Sequence, residues 1–250
     1  MNRLLSLQHI SVLNTRPWPQ GLEFSQQIIA LGGQAFNLPL LEITPVAAKD
    51  WLKVMPVWSK VEQIIFISAN AVHYFFRTLQ LHGISWPKTI PVIGIGKATA
   101  TQLSNFGLTN IIIPIEADSE HLIHLPCLQD IKNKLVVLVK GKDGRTLIKK
   151  HLVAQGAIVN ELSVYQRQLP ILNTEYVKKL WQENTFNSIL ITSELSLKHL
   201  FMIFPDSMHA WLRTKLCIVI SQRLAVAVKQ WGFTQYLCCK PHLIIEELYS

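Results

Sequence analysis

Two apolar rhythms alternate along the chain. Compact runs at Ile10–Thr15, Ile64–Ile67, Val92–Ile95, Leu135–Val139, Ile189–Thr192 and Cys217–Ile220 have the length and β-branched content of buried strands. Between them lie longer stretches whose apolar residues recur every three or four positions, as in a helix with one buried face. Leu22–Leu31 is such a stretch and stops at Gly32-Gly33, since helix C-termini favour glycine. "SANAVHYFFRTLQLHG" stops at Gly83, "KATATQLSNFG" at Gly107 and "GRTLIKKHLVAQG" at Gly156. One more short strand is expected at Ile111–Ile113, ended by Pro114. Ala35–Ile43 and Ala157–Gln166 read as extended, the first with Pro39 as the sign of an edge strand or a linker. Strands alternating with helices imply parallel sheets with right-handed crossovers, an α/β fold.

The rhythm also repeats. "PVIGIGKATATQLSNFGLTN" from Pro91 to Asn110 matches "LCIVISQRLAVAVKQWGFTQ" from Leu216 to Gln235, pairing Ala100 with Ala225 and Gly107 with Gly232 at a shift of 125 residues. The same shift pairs Ser68 in "IIFISANAV" with Ser193 in "SILITSELS", and a shift of 123 pairs Gly33 with Gly156. Half of the 250 residues is 125, so the chain reads as two copies of one α/β unit. The extended segments, about 36–43 and 159–168, hold equivalent places in the two copies. If both cross between lobes, one lobe is 1–37 plus 172–250 and the other 38–171, with the two segments forming a two-stranded linker. Ligand sites favour the groove of such a duplicated pair.

Composition narrows the partners. At 49% hydrophobic and 16% charged residues the chain can build real cores. No apolar run approaches the roughly 18 residues of a membrane span, and "MNRLLSLQHISVLNTRP" lacks the form of a secretory signal. Cys127, Cys217, Cys238 and Cys239 include no CxxC pair and no zinc spacing, so we expect reduced, core-filling thiols in a cytoplasmic protein without a metal. The formal charge of +8 fits either simple solubility or an anionic partner. No basic run, helix-turn-helix or zinc finger points to nucleic acid, and a small polyanion fits at least as well.

Several positions carry candidate chemistry. "GIGKATA" follows a strand and opens a helix, with Gly94 and Gly96 but Thr99 where a dinucleotide fingerprint needs its third glycine. Free N–H groups at such a helix start can still receive an anion, and "ISQRLA" presents Ser221 and Arg223 at the equivalent place. Ser68 and Ser193 each end a strand, where a hydroxyl can cap the next helix as well as touch a ligand. Arg16 in "TRP" and Lys140, Lys142 and Arg145 in "VKGKDGRTL" supply cations at strand ends, either as solvated turns or as carboxylate or phosphate contacts. Tyr165 in "SVYQRQ" reads as a packed tyrosine or as a phenol that can donate a proton.

Taken in order, "VLNTRPWPQ", "GGQAFNLPLLEI", "IIFISANAV", "GIGKATATQLSNFG", "VKGKDGRTLIKKHLVAQGAIVNELSVYQRQ", "ILITSE" and "CIVISQRLAVAVKQWGF" resemble the uroporphyrinogen-III synthase family over nearly the whole chain. The resemblance implies two similar Rossmann-like or flavodoxin-like lobes with parallel sheets joined by a two-stranded linker. It implies no metal and no cofactor. The implied substrate is hydroxymethylbilane, a linear tetrapyrrole with eight carboxylates, cyclised with loss of water and inversion of ring D. The enzyme that precedes it in tetrapyrrole (haem) biosynthesis is then a candidate partner, and a monomer suffices. Tyr165 matches the tyrosine proposed to assist departure of the hydroxyl. Arg16, Ser68, Thr99, Arg145 and Ser193 match other family positions, and Lys97, Lys140, Ser221 and Arg223 lie beside them as candidate substrate contacts. Departures are Leu224 where some members have threonine, Lys140 where many have arginine, and His121 where glycine is common. Two other readings stay open from the residues: a non-catalytic two-lobed binder or sensor, and a nucleotide-dependent enzyme built on "GIGKATA".

Overall fold

The structure is a computed structural model and describes residues 6–249 apart from Pro19, Lys88 and Arg145. From the amino end the chain forms β1 (Ser11–Asn14), α1 (Gln20–Ala30), β2 (Gln34–Asn37), β3 (Glu42–Pro45), α2 (Ala48–Leu52), β4 (Val61–Phe66), α3 (Ala69–Leu81), β5 (Val92–Gly94), α4 (Lys97–Asn105) and α5 (Ser119–Leu122). It continues through β6 (Leu135–Gly141), α6 (Leu147–Ala154), β7 (Ile158–Gln168), α7 (Thr174–Gln182), β8 (Ser188–Ile191), α8 (Glu194–Ile203), α9 (His209–Arg213), β9 (Leu216–Val219), α10 (Gln222–Gln230), β10 (Tyr236–Cys238) and α11 (Ile244–Glu247).

The chain divides into two compact units, Met1–Glu42 with Gln168–Ser250, and Ile43–Arg167. The first holds a five-stranded sheet in the order β10-β9-β8-β1-β2, with every adjacent pair parallel. The second holds a five-stranded sheet in the order β3-β7-β6-β4-β5, parallel from β7 through β5. Read from its other end the first sheet runs 2-1-3-4-5 in chain order, the flavodoxin-like arrangement.

Alternation along the strands builds each unit as three layers. In β4, Ile64 and Phe66 face one core while Ile65 faces another, and in β6 Val137 and Val139 oppose Val136 and Leu138. Helix α3 covers the first face with Ala71, Val72, Phe75, Phe76 and Leu79, and α6 covers the second with Ile148 and Leu152. In the first unit β8 splits the same way, Ile189 and Ile191 against Leu190. There α7, α8 and α10 cover one face, and α1 and α11 the other. Strands buried on both faces explain the unbroken apolar runs of the sequence. Cys217 belongs to this packing, and burial pushes its thiol up to about 12.

The repeat has a structural counterpart that is not the unit. At a shift of 125 residues β1 corresponds to β6, β4 to β8 and β5 to β9, and β2 corresponds to β7 at nearly the same shift. Corresponding strands hold corresponding sheet positions, since the order β2-β1-β8-β9 matches β7-β6-β4-β5. Each five-stranded sheet therefore takes two strands from one copy and three from the other.

Three expectations change. The extended stretch Ala35–Ile43 is two strands, β2 in one sheet and β3 in the other. Leu38 and Leu40 sit in the core with Ile189 and Leu197, so the first unit runs to Glu42 rather than Asn37, and Leu169 packs on the same core, so it resumes at Gln168 rather than Leu172. Ile111–Ile113 makes only an isolated bridge from Ile112 to Ile93, because Asn110 turns left-handed at φ 57° and Pro114 follows at once. The position corresponds to β10, where Leu237 pairs with Ile218 within a full strand.

Candidate active site

Parallel strands bring their carboxyl ends to one rim of a sheet, and ligands collect where the strand order reverses. In the second unit the reversal lies between β4 and β6, because the chain goes from β4 outward to β5 and later returns through β6 toward β7. Ser68 follows β4 at this rim, and Gly141 ends β6.

A register shift delivers the tyrosine. Ser163 pairs with Lys140, but the next partners are Gly141 and Tyr165, so Val164 is an extra residue in β7. Such a bulge re-aims the side chain that follows it. Leu162 and Val164 already face the α3 core, and the shift turns Tyr165 onto that face as well. Its ring stacks on Tyr74 at 6.0 Å between centroids. It also lies over Gly141, where a Cβ would fall 2.7 Å from Tyr165 Cζ. Tyr165 is only 2% exposed.

The phenol is nevertheless not isolated. Tyr165 Oη lies 3.1 Å from Ser68 Oγ, and Arg167 Nη2 donates to the same oxygen at 3.5 Å. The Arg167 guanidinium sits over the ring at 5.8 Å from its centroid. Ser68 is half-buried and caps α3, with Ala71 N–H donating to Ser68 Oγ at 3.0 Å.

The other candidates separate into rim groups and buried groups. Ser193 and Ser221 cap α8 and α10 by accepting from Ser196 N–H at 3.0 Å and Leu224 N–H at 3.3 Å. Lys97 is exposed at the first position of α4, which begins at Gly96 without a side-chain cap. Arg223 is exposed and its Nε is 3.3 Å from Glu194 Oε1, at the start of α8. Arg16 lies just beyond β1 beside a depression of about 360 Å³ also lined by Glu23, Gln27 and His242. Thr99 is buried with its Cβ and Cγ2 close against Gly94. Its counterpart Leu224 is equally buried, in the core of the first unit. The apolar substitution therefore suits its surroundings. Arg145 lies outside the described residues.

Lys140 is buried, with its Nζ 3.2 Å from Glu161 Oε1. Lys149 Nζ bonds the other carboxylate oxygen at 2.5 Å. Burial alone would raise the Glu161 carboxyl, but the hydrogen bonds from Lys149 and Lys140 prevail and hold it below its usual range. Lys140 thus serves β6 and β7 through an internal ion pair. Glu161 is the residue that the sequence reading missed, and its signal was its position two strand residues before Ser163 on a strand flanking the basic loop.

Among the described residues one set of possible metal ligands converges, Glu116, Asp118 and His121 at the start of α5. Asp118 already caps that helix by accepting from His121 N–H at 2.7 Å, and its two oxygens contact the His121 imidazole at 2.8 and 2.9 Å. The bond from the His121 backbone and then from its ring holds Asp118 below its ordinary value, and the same carboxylate holds His121 above its own. The glycine common at this place in the resembling family is thus replaced by half of a capping pair. No helix of the described residues is long and apolar enough to cross a membrane.

Comparison with known proteins adds lineage to this geometry. A family model described as "Uroporphyrinogen-III synthase HemD" matches residues 23–243. The chain is 30% identical over 230 residues to uroporphyrinogen-III synthase of Salmonella typhimurium, covering 90% of this chain and 92% of the relative. It is 29% identical over 227 residues to the uroporphyrinogen-III synthase of Escherichia coli, with the same 90% and 92% coverage. Among solved structures, a mutant uroporphyrinogen III synthase of Thermus thermophilus aligns with a TM-score of 0.66 over 96% of this chain and 95% of its own. At 14% identity that likeness speaks for the fold alone.

Proposed function

The chain belongs to the uroporphyrinogen-III synthase family, and from that membership we propose that it closes hydroxymethylbilane into uroporphyrinogen III, with loss of water and inversion of ring D. The observation that carries the reading is the phenol of Tyr165, turned by a strand bulge toward the rim of a parallel sheet and bonded to the half-buried Ser68.

The chemistry asks two things of the protein. Loss of the hydroxyl from the hydroxymethyl carbon leaves a cationic azafulvene, and a general acid speeds that departure by about 10²–10⁴-fold. Tyr165 is the source of that proton, through its phenolic O–H. The second demand is regiochemical. Attack by the free α-carbon of ring D closes the ring without inversion. Attack by its substituted α-carbon gives a spiro intermediate and then inversion. Holding the chain for the second attack is a matter of orientation, which can supply up to roughly 7–11 kcal/mol in well-aligned cases.

Carboxylates offer the handles for that orientation. The N–H groups at the starts of α3, α4, α8 and α10 and the cations of Lys97 and Arg16 are suited to them. Arg223 contributes in exchange with Glu194, while Lys140 supports the strand ends and stays paired. The reaction needs no metal or organic cofactor from the protein. We take the working form to be a single chain in the cytoplasm that receives the linear tetrapyrrole from the preceding enzyme of the pathway.

The decisive experiment supplies hydroxymethylbilane and identifies the porphyrin isomer after oxidation. Type III product is expected. Type I alone, the product of spontaneous closure, would make the protein a binder rather than a catalyst.

A further inference from the structure

We infer that Ser68 is the group that delivers the proton to the departing hydroxyl, and that Tyr165 resupplies it. The inference rests on the reading of Tyr165 as the source of the proton, and it answers a difficulty which that reading leaves. Tyr165 is only 2% exposed, so it offers a substrate oxygen little surface, less than the half-buried Ser68 beside it. Ser68 is half-buried, and its Oγ is 3.1 Å from that hydroxyl.

The hydrogen-bonding capacity of the serine fits a relay. A hydroxyl accepts two bonds and donates one. Ser68 Oγ accepts from Ala71 N–H at 3.0 Å, and it accepts from the phenol when Tyr165 donates. Its own O–H is then unspent among the described residues, at the carboxyl end of β4 where the strand order reverses. The cap therefore does more than satisfy an N–H. It fixes the serine rotamer so that one lone pair faces the phenol.

The step balances. The C–O bond of the hydroxymethyl group breaks and its electron pair stays on the departing oxygen. That oxygen takes the Ser68 hydroxyl proton and leaves as water. The Tyr165 proton moves to Ser68 Oγ, so a phenolate remains. Arg167, whose Nη2 lies 3.5 Å from that oxygen and whose guanidinium lies over the ring, compensates its charge. When closure restores the aromatic pyrrole, the proton released from the free α-carbon of ring D returns through Ser68 to Tyr165.

Capping and relaying are separable by substitution. Asparagine caps a helix about as well as serine, but its amide cannot pass a proton on, whereas threonine can do both. Ser68→Asn should keep the melting temperature of the parent and the KM for hydroxymethylbilane. Its kcat for type III product should fall by roughly 10²-fold or more, the scale of lost acid assistance. Ser68→Thr should stay near the parent rate. Tyr165→Phe should fall as far as Ser68→Asn, and the double variant no further than either. Full turnover by Ser68→Asn would overturn the relay, as would a double variant slowed by the product of the two single effects. Full turnover by Tyr165→Phe with a slow Ser68→Asn would overturn it too, and would locate the failure in the reading of Tyr165. The unaltered enzyme gives an independent check in mixtures of light and heavy water. Two protons in flight predict a curved dependence of kcat on deuterium fraction, and a straight line would overturn the relay.

Discussion

Gly141 has room for a hydrogen and little else. A Cβ there would lie 2.7 Å from Cζ and 2.9 Å from Cε2 of Tyr165, inside any real contact distance. The ring cannot yield cheaply, because Tyr74 stacks on it and Ser68 and Arg167 hold its hydroxyl. Gly141→Ala should therefore displace the phenol while leaving the sheet intact. Overpacking of this kind costs about 1–3 kcal/mol, and a displacement near 1 Å can slow turnover by up to about 10²-fold. Type III formation at saturating substrate, beside near-ultraviolet circular dichroism of the tyrosines, tests this; an unchanged rate would remove Gly141 from the support of the site. The sequence made Tyr165 legible as a candidate through its place in an extended segment and its match to a tyrosine of the resembling family. It did not make legible which face the ring takes. That depends on the extra residue at Val164, and adjacent Val164 and Tyr165 break the period of two without saying which way the strand resolves the conflict. Lys140 shows the opposite limit. Its charge was plain, but its partner Glu161 lies 21 residues on and across a strand pair.

Asn14 shows how a single polar side chain can tie elements together. It ends β1 and is 1% exposed. Its amide donates to Gly21 O at 2.7 Å and Ser25 Oγ at 2.8 Å in α1, and reaches Asn37 Oδ1 in β2 at 3.2 Å. Its own Oδ1 accepts from Arg16 N–H at 3.2 Å, which orders the turn that carries Arg16. Asn14→Ala strands these partners in a site from which water is excluded. An orphaned buried polar group costs about 1–3 kcal/mol, so a denaturant melt should show a loss in at least that range. A change below the error of the melt would mean that water replaces the amide. The element pattern itself was legible wherever burial dominates. β1, β4, β5, β6, β8 and β9 each formed where a compact apolar run predicted a strand. Failures came where length or pairing decides. The run at Ile111–Ile113 was too short and too tightly bracketed to become more than a bridge. In the stretch Ala35–Ile43 the mark was Pro39, which lies between β2 and β3, but it did not say that each half joins a strand of a different sheet.

The repeat and the compact units divide the chain differently, and this bears on what can fold alone. The repeat breaks near the middle of the sequence, yet each unit draws strands from both copies. Duplication was thus legible from matched glycines and serines, while the assignment of strands to sheets needed the pairing partners. The unit Ile43–Arg167 is one continuous segment. Both of its hydrophobic clusters consist wholly of residues from that segment, from Ile43 through Tyr165. The other unit is discontinuous, and β1 sits between β2 and the central strand β8 of its sheet. A fragment of residues 43–167 should therefore unfold cooperatively and give a dispersed amide NMR spectrum. A fragment of residues 168–250 should not, since without β1 the strand β8 loses its partner at Val12, Leu13 and Asn14, and the core loses Leu13, Leu38 and Leu40. Adding the peptide 1–42 should restore its cooperative transition. A 43–167 fragment without a transition would contradict the division, because its core would then depend on residues outside its own unit, and a well-folded 168–250 fragment would show that β1, Leu13, Leu38 and Leu40 are dispensable to the other core.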